Sequence, residues 1–264
     1  MLRPTRPVGE LLREWRQRRR LSQLELSLDA NVSARHLSFL ETGRSQPSRA
    51  MLLQLTDALE VPLRERNEAL IAAGFAPVYS QRSLDHPELD AARRAVDLVL
   101  SGHEPYPALA VDRHWTLLNA NAAAQRLMTG VHEKLLEPPV NVLRMCLHPD
   151  GFAPRILNHA HIREHILTRL KRQIQATGDA VLSDLVGELS SYPPPPGAGA
   201  IAHDEYGGVL LPLRLQTPHG VLSLFGTITT FGTPVDVTLA ELALEAFFPA
   251  DTATAELLRR LAQG

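Results

Sequence analysis

Two serine-capped helix starts, set eleven residues apart at Ser22 and Ser33, constrain this chain more than any other feature. The first reads Leu21-Ser22-Gln23-Leu24-Glu25-Leu26: Ser22 and Glu25 have the spacing of a capping box, and Leu21 is placed to staple against Leu26. A helix is therefore expected to begin right after Ser22 and to break at Asp29-Ala30-Asn31. Asn31 falls where the chain must turn sharply, and asparagine tolerates the left-handed conformation better than most residues with a side chain. Val32-Ser33 repeats the logic, with Ser33 as cap and Val32 against Leu37. That next helix should stop near Thr42-Gly43. Upstream, Leu11, Leu12 and Trp15 make one apolar stripe, and the helix that carries them ends in a basic turn that suits its dipole. Downstream, Pro47-Ser48 opens a fourth helix bearing Leu52, Leu53, Leu55 and Leu59, and Pro62 fits the first turn of a fifth.

Two short helices joined by a tight turn inside a five-helix unit match the helix-turn-helix plan. Ser22-Gln23-Leu24-Glu25-Leu26, Val32-Ser33, Leu37-Ser38, Leu40-Glu41 and Gly43-Arg44 with Pro47 resemble the Cro/phage-repressor class, the XRE family. The motif runs about 25 residues in register; Asn31 departs from the glycine usual at the turn. The resemblance implies that the third helix lies in the major groove of double-stranded DNA. Position by position, Gln23 and Ser33 then meet backbone phosphates, and Ala34, Arg35, Ser38 and Phe39 fall at base-facing positions. Arg44 reaches a further phosphate. Arg35 is the reader with most to offer, because its fork matches both acceptors of a guanine.

Charge supports a polyanionic partner for this end. Residues 1–50 hold ten arginines and five acids, a local charge of +5 in a chain whose net charge is −2. The run Arg16, Arg18, Arg19, Arg20 is by itself more often a solvated helix end than a DNA contact. Cys146 is the only cysteine, which excludes an intrachain disulfide and fits a cytoplasmic address. The chain has no apolar run of about 20 residues and no apolar signal core after its basic start, so neither a membrane span nor export is expected.

The length suits two domains, here read as a helix-turn-helix domain over 1–76, a linker over 77–88 and a second domain over 89–264. In the second domain Leu89 to Leu100 is helix-like. Ala108 to Asn121 then reads as a hairpin whose two apolar runs flank Asp112-Arg113, followed by a short helix to Met128. A hairpin leading into short helices is how PAS-type sensor domains begin. Asn141 to Leu147, Ile156 to Ala176 and Asp179 to Leu189 read as helices, and Tyr192 to Gly197 as an extended, proline-rich surface loop. Gly208 to Thr217 and Gly220 to Thr230 are strands about the turn Pro218-His219-Gly220, and helices are expected at Val237 to Phe247 and Thr252 to Ala262. The fold class is thus an all-α N-terminal domain plus an α+β, PAS-like C-terminal domain.

Asn141-Val142-Leu143-Arg144 with Leu147-His148-Pro149-Asp150-Gly151, Tyr192-Pro193, Pro212-Leu213-Arg214-Leu215, Thr230-Phe231-Gly232-Thr233-Pro234 with Asp236-Val237-Thr238, and Phe247-Phe248-Pro249-Ala250-Asp251 resemble the MmyB-like regulators over nearly the whole chain. These join a Cro-type helix-turn-helix to a PAS-like domain that holds a small, largely apolar molecule such as a fatty acid. The resemblance implies a pocket, and no other cofactor. Position alone offers as polar candidates Asn119, Asn121, Asn141 and Arg155, and from the last long strand either Ser223, Phe225, Thr227 and Thr229 or the opposite set, with Phe225 and Thr227 favoured. The alternative for each polar residue is a cap or a turn.

His161-Ile162-Arg163-Glu164-His165 spells H-x-x-E-H, which puts two imidazoles on one helix face as a zinc peptidase requires. No third ligand is evident, so surface or packed histidines are expected instead, and Cys146 lies in an apolar run that suits packing. The chain is therefore expected not to be an enzyme, but a ligand-responsive DNA-binding regulator working as a homodimer. Its half-sites should lie about 34–36 Å apart. The rival readings are a protein-binding adaptor built on the helical unit and a zinc hydrolase at His161 and His165.

Overall fold

The computed structural model describes residues 6–196, 211–232, 234 and 236–263. The chain divides into two compact units. One holds 1–82 with 175–177 and 234–240; the other holds 83–174, 178–233 and 241–264.

The first unit is built on five helices: α1 (Val8–Arg18), α2 (Gln23–Asp29), α3 (Ala34–Glu41), α4 (Arg49–Ala58) and α5 (Leu63–Ala72). Its boundaries are set by side-chain oxygens that satisfy the free amides of each first turn. Ser22 accepts from the Glu25 amide while Glu25 accepts from the Ser22 amide, a closed capping box. Ser33 and Ser48 cap α3 and α4 in the same way, through the His36 and Met51 amides. Asn31 takes the left-handed conformation at φ 48°, and Gly43 ends α3 at φ 72°. Pro62 sits one position earlier than expected, as the cap of α5 rather than inside it. Leu12, Leu26, Leu37, Leu52, Leu55, Leu59 and Leu70 fill the core with Trp15. The stretch after α5 belongs to this unit: the Asn67 side chain accepts from the Val78 and Tyr79 amides and donates to the Tyr79 carbonyl.

The second unit is an α+β domain. Its five-stranded antiparallel sheet contains β1 (Ala108–Val111), β2 (Leu117–Ala120), β3 (Leu213–Thr217), β4 (Gly220–Thr230) and β5 (Ala243–Pro249), in the order β2-β1-β5-β4-β3. The helices are α6 (Asp90–Gly102), α7 (Ala122–Leu127), α8 (Val142–Leu147), α9 (His159–Thr177, whose residues 175–177 group with the first unit), α10 (Ala180–Ser191) and α12 (Thr252–Gln263). A single turn, α11 (Val237–Ala240), lies in the segment that groups with the first unit. This curled sheet with helices packed on it is consistent with a PAS-like fold.

One sequence expectation is corrected. Val237 to Phe247 is not a helix: after one helical turn the chain becomes β5, which pairs β1 on one side and β4 on the other. Ala243-Leu244-Glu245-Ala246 favours helix locally, but a strand saturated on both edges and covered on both faces overrides local preference. Leu244 and Ala246 pack with Val96 and Leu100 of α6, while Ala243 and Phe247 join the larger core on the other face. The strand expected from Gly208 begins at Leu213 within the described residues, and 208–210 lie outside them. The hairpin turn is also longer than Asp112-Arg113. Asp112 accepts from the His114 and Thr116 amides, and Trp115 stands at φ 67°.

Candidate functional site

On the first unit, α3 presents Arg35 exposed, with Ala34, Ser38 and Phe39 half-buried beside it. Phe39 is outside the leucine core. Its ring instead carries two guanidiniums, Arg35 at 5.5 Å and Arg44 at 5.8 Å from the ring centre. A shared aromatic ring restrains both guanidiniums. Ser33 is exposed, and its hydroxyl oxygen accepts the His36 amide in the cap. Gln23 is tethered: its amide donates to Glu41 Oε2 at 2.8 Å, and Glu41 also takes both Nε and Nη2 of Arg16, at 2.6 and 2.8 Å. Burial alone would raise the Glu41 carboxyl, but the hydrogen bonds from Arg16 and Gln23 outweigh it and hold it below the usual range.

The basic run is largely internal to the fold. Arg16 holds Glu41, Arg18 pairs with Glu14, and Arg19 donates to the carbonyls of Leu59 and Glu60, each at 2.8 Å. Of the four, Arg20 is the exposed one. Charge density alone therefore does not mark an open basic surface here.

The second unit encloses a cavity of about 520 Å³ between the sheet and helices α7, α8 and α9, inside the range typical of small-molecule sites. Leu109, Val142, Ile166, Leu224 and Phe247 give it apolar walls, and exposed Leu211 and Ile228 leave it open to solvent. Its polar lining comes from Cys146 on α8, His165 and Arg169 on α9, and Glu245 on β5.

Of the residues put forward from position, Phe225 lines this cavity. Thr227 is exposed on the sheet, where its hydroxyl donates to the Ala246 carbonyl; Ser223 and Thr229, on the same alternation, are also outside the lining. The opposite set supplies Leu224, Gly226 and Ile228. The other four polar candidates do not line the cavity either, because the fold engages them. Asn119 donates to Asp97. Asn121 caps α7 through the Ala124 amide and ties it to the Leu100 and Tyr106 carbonyls. Asn141 caps α8 through Leu143 and Arg144, and Arg155 donates to the carbonyls of Leu127, Thr129 and Gln216. Sequence reasoning missed Arg169 and Glu245 as site residues. Arg169 is one of several basic residues on a long helix, and Glu245 lies on the strand read as helix.

His161 and His165 share a helix face, as their spacing requires, but among the described residues no group of three His, Cys, Asp or Glu side chains stands close enough to hold a metal ion. Cys146 faces the cavity with its thiol pushed up to about 12, chiefly by burial, so it is held as a neutral packing group.

Residues 92–261 match the family described as the MmyB-like transcription regulator ligand binding domain. The chain belongs to the MmyB-like transcription regulators. Residues 7–69 match a helix-turn-helix domain family. These are the domains of a DNA-binding transcription regulator with a ligand-binding domain, not of an enzyme family. No curated protein matches the chain. Among solved structures it is similar to an RNA-binding Light-Oxygen-Voltage receptor, at 16% identity and a TM-score of 0.29, over 98% of this chain and 64% of that one. No helix among the described residues is long and apolar enough to cross a membrane.

Proposed function

We propose that this MmyB-like protein is a ligand-responsive, sequence-specific regulator that binds a two-fold operator as a homodimer. A fatty-acid-like molecule in the second unit modulates its grip on DNA. The observation that supports the ligand is the 520 Å³ cavity with mainly aliphatic walls, inside the matched ligand-binding domain of a chain that also bears a DNA-reading helix. Arg35 reads base edges, Ala34, Ser38 and Phe39 adjoin them, and Gln23, Ser33 and Arg44 position the helix on phosphates. The ligand acts only through a difference in its affinity for the DNA-competent and DNA-incompetent arrangements. Cytoplasmic location follows from work on chromosomal DNA.

The test is selection of binding sites from random duplexes with the full-length protein, followed by titration of the selected site with and without dodecanoate. The expected result is a site of two inverted halves about 34–36 Å apart, bound by a dimer, with affinity that changes when dodecanoate is added. Enrichment of no sequence would remove the DNA reading. An unchanged affinity with dodecanoate bound would remove the switch.

A further inference from the structure

The polar end of the cavity carries more chemistry than an aliphatic chain requires. The Arg169 guanidinium lies 4.0 Å from the centre of the Trp115 ring. Its Nη1 reaches Glu245 Oε1 at 3.4 Å, long for a charge-assisted hydrogen bond. Its buried Nε–H has no acceptor. A buried donor without a partner is costly, and an arginine fork with one edge unfilled is shaped for a carboxylate. Glu245 lines the same cavity. Gly226, which pairs Phe247 across the strands, adjoins this carboxylate: a Cβ at that position would lie 3.7 Å from Glu245 Oε1.

The charges around Glu245 are few. Arg169 and His165 face the cavity from α9 and Cys146 from α8, while β1, α7, β3 and β4 contribute apolar lining. Burial, with repulsion from Arg169 and Arg172, holds His165 below its usual range, so near neutral pH it carries no charge. Cys146 is likewise neutral there. Burial pushes the Glu245 carboxyl up despite Arg169. Arg169 and Glu245 are thus the charges that matter, and the pair is poorly solvated.

We propose that this site takes the anionic head of an amphipathic acid, with Arg169 binding the carboxylate and Glu245 taking up a proton from solvent as it binds. The proposal rests on the apolar-ligand reading above and adds the head-group chemistry. Charge balances throughout: before binding, Glu245 neutralises Arg169; afterwards the ligand carboxylate does, and Glu245 is a neutral acid. Without the proton, two carboxylates would share one guanidinium in a low-dielectric cavity, which like charges resist. Arg169 is then the head-group ligand, and Glu245 sets the dependence on pH.

The test compares dodecanoate with dodecanol by calorimetry on the full-length protein from pH 6.5 to 8.5, where dodecanoate stays ionised. The expected result is dodecanoate binding at least tenfold tighter than dodecanol at pH 6.5. Its affinity should weaken as pH rises, by at most tenfold per unit for one proton, while that of dodecanol stays level. Glu245→Gln keeps the shape of the side chain and should bind dodecanoate with no pH dependence. Arg169→Gln should bind both probes alike. Equal affinity of the two probes for the wild type, a pH-independent wild type, or a pH dependence that survives Glu245→Gln overturns the proposal and leaves the apolar-ligand reading intact. Failure of both probes to bind overturns the two together.

Discussion

Glu41 joins the fold of the first unit to its DNA surface, and removing it should show both effects. Its carboxylate receives three hydrogen bonds, two from Arg16 and one from Gln23, and the Glu41 side chain is 1% exposed against 11% for Arg16. Glu41→Ala would leave the Arg16 guanidinium buried with the Leu21 carbonyl, at 2.8 Å, as its remaining acceptor in that network. Breaking a buried pair from one side costs about 3–5 kcal/mol, mainly as uncompensated desolvation. With m near ~1 kcal/mol/M for urea and a unit of this size, the midpoint for the first unit should fall by roughly 3 M or more. The assay is urea unfolding of the full-length protein, with amide exchange in the Leu26 and Leu37 core reporting this unit alone. The companion variant Arg16→Met/Glu41→Leu removes both charges and should recover most of the loss. A single variant costing under about 1 kcal/mol, or a double variant as damaged as the single, would refute the argument that desolvation dominates. Glu41→Ala also frees the Gln23 amide, so affinity should drop on every DNA sequence with base preference unchanged.

Four other outcomes follow from the structure. Arg35→Ala should relax preference at one base position by about 1–3 kcal/mol, and Arg44→Ala should weaken all sequences alike and lower the salt slope by about 1; quantitative site selection and salt titration separate the two. Gly151→Ala should destabilise the second unit by at least about 1–3 kcal/mol in thermal unfolding, because a Cβ there would stand 2.1 Å from the Met145 carbonyl oxygen, a backbone atom that cannot swing aside. Acid should weaken the first unit through Glu41. Its folded value lies below the ordinary 4.5, so at intermediate pH the unfolded chain binds more protons. The contribution is therefore complete above about 4.5 and is lost as pH falls through the lower folded value. An acid unfolding profile that is unchanged in Glu41→Gln would contradict this.

The parts of this protein that were legible beforehand are those decided by neighbours in sequence. Ser22, Ser33 and Ser48 each cap the amide three residues on, and Asn31 turns the chain within one residue. Such contacts need no knowledge of the rest of the fold, which is why the helices of the helix-turn-helix could be bounded from the sequence. Alternation likewise exposed β4 and the hairpin of β1 and β2.

What the tertiary structure alone decided depends on residues far apart in the chain. Ala243 to Pro249 is a strand because β1 and β4 offer it two complete edges, a fact absent from its own composition. The asparagines that looked available to a ligand are consumed by the fold, through partners up to 27 residues away. Arg16 reads as one more basic surface residue until Glu41, 25 positions later, is seen to bury it. The cavity's polar end is the clearest case. Arg169 and Glu245 are separated by 76 positions, with α10, β3, β4 and α11 between them, and neither has a local signal of function. Their meeting, with Arg169 laid over the Trp115 ring in a largely aliphatic space, is what gives each its chemistry. Local capping and periodicity placed the helix-turn-helix; long-range packing made the pocket.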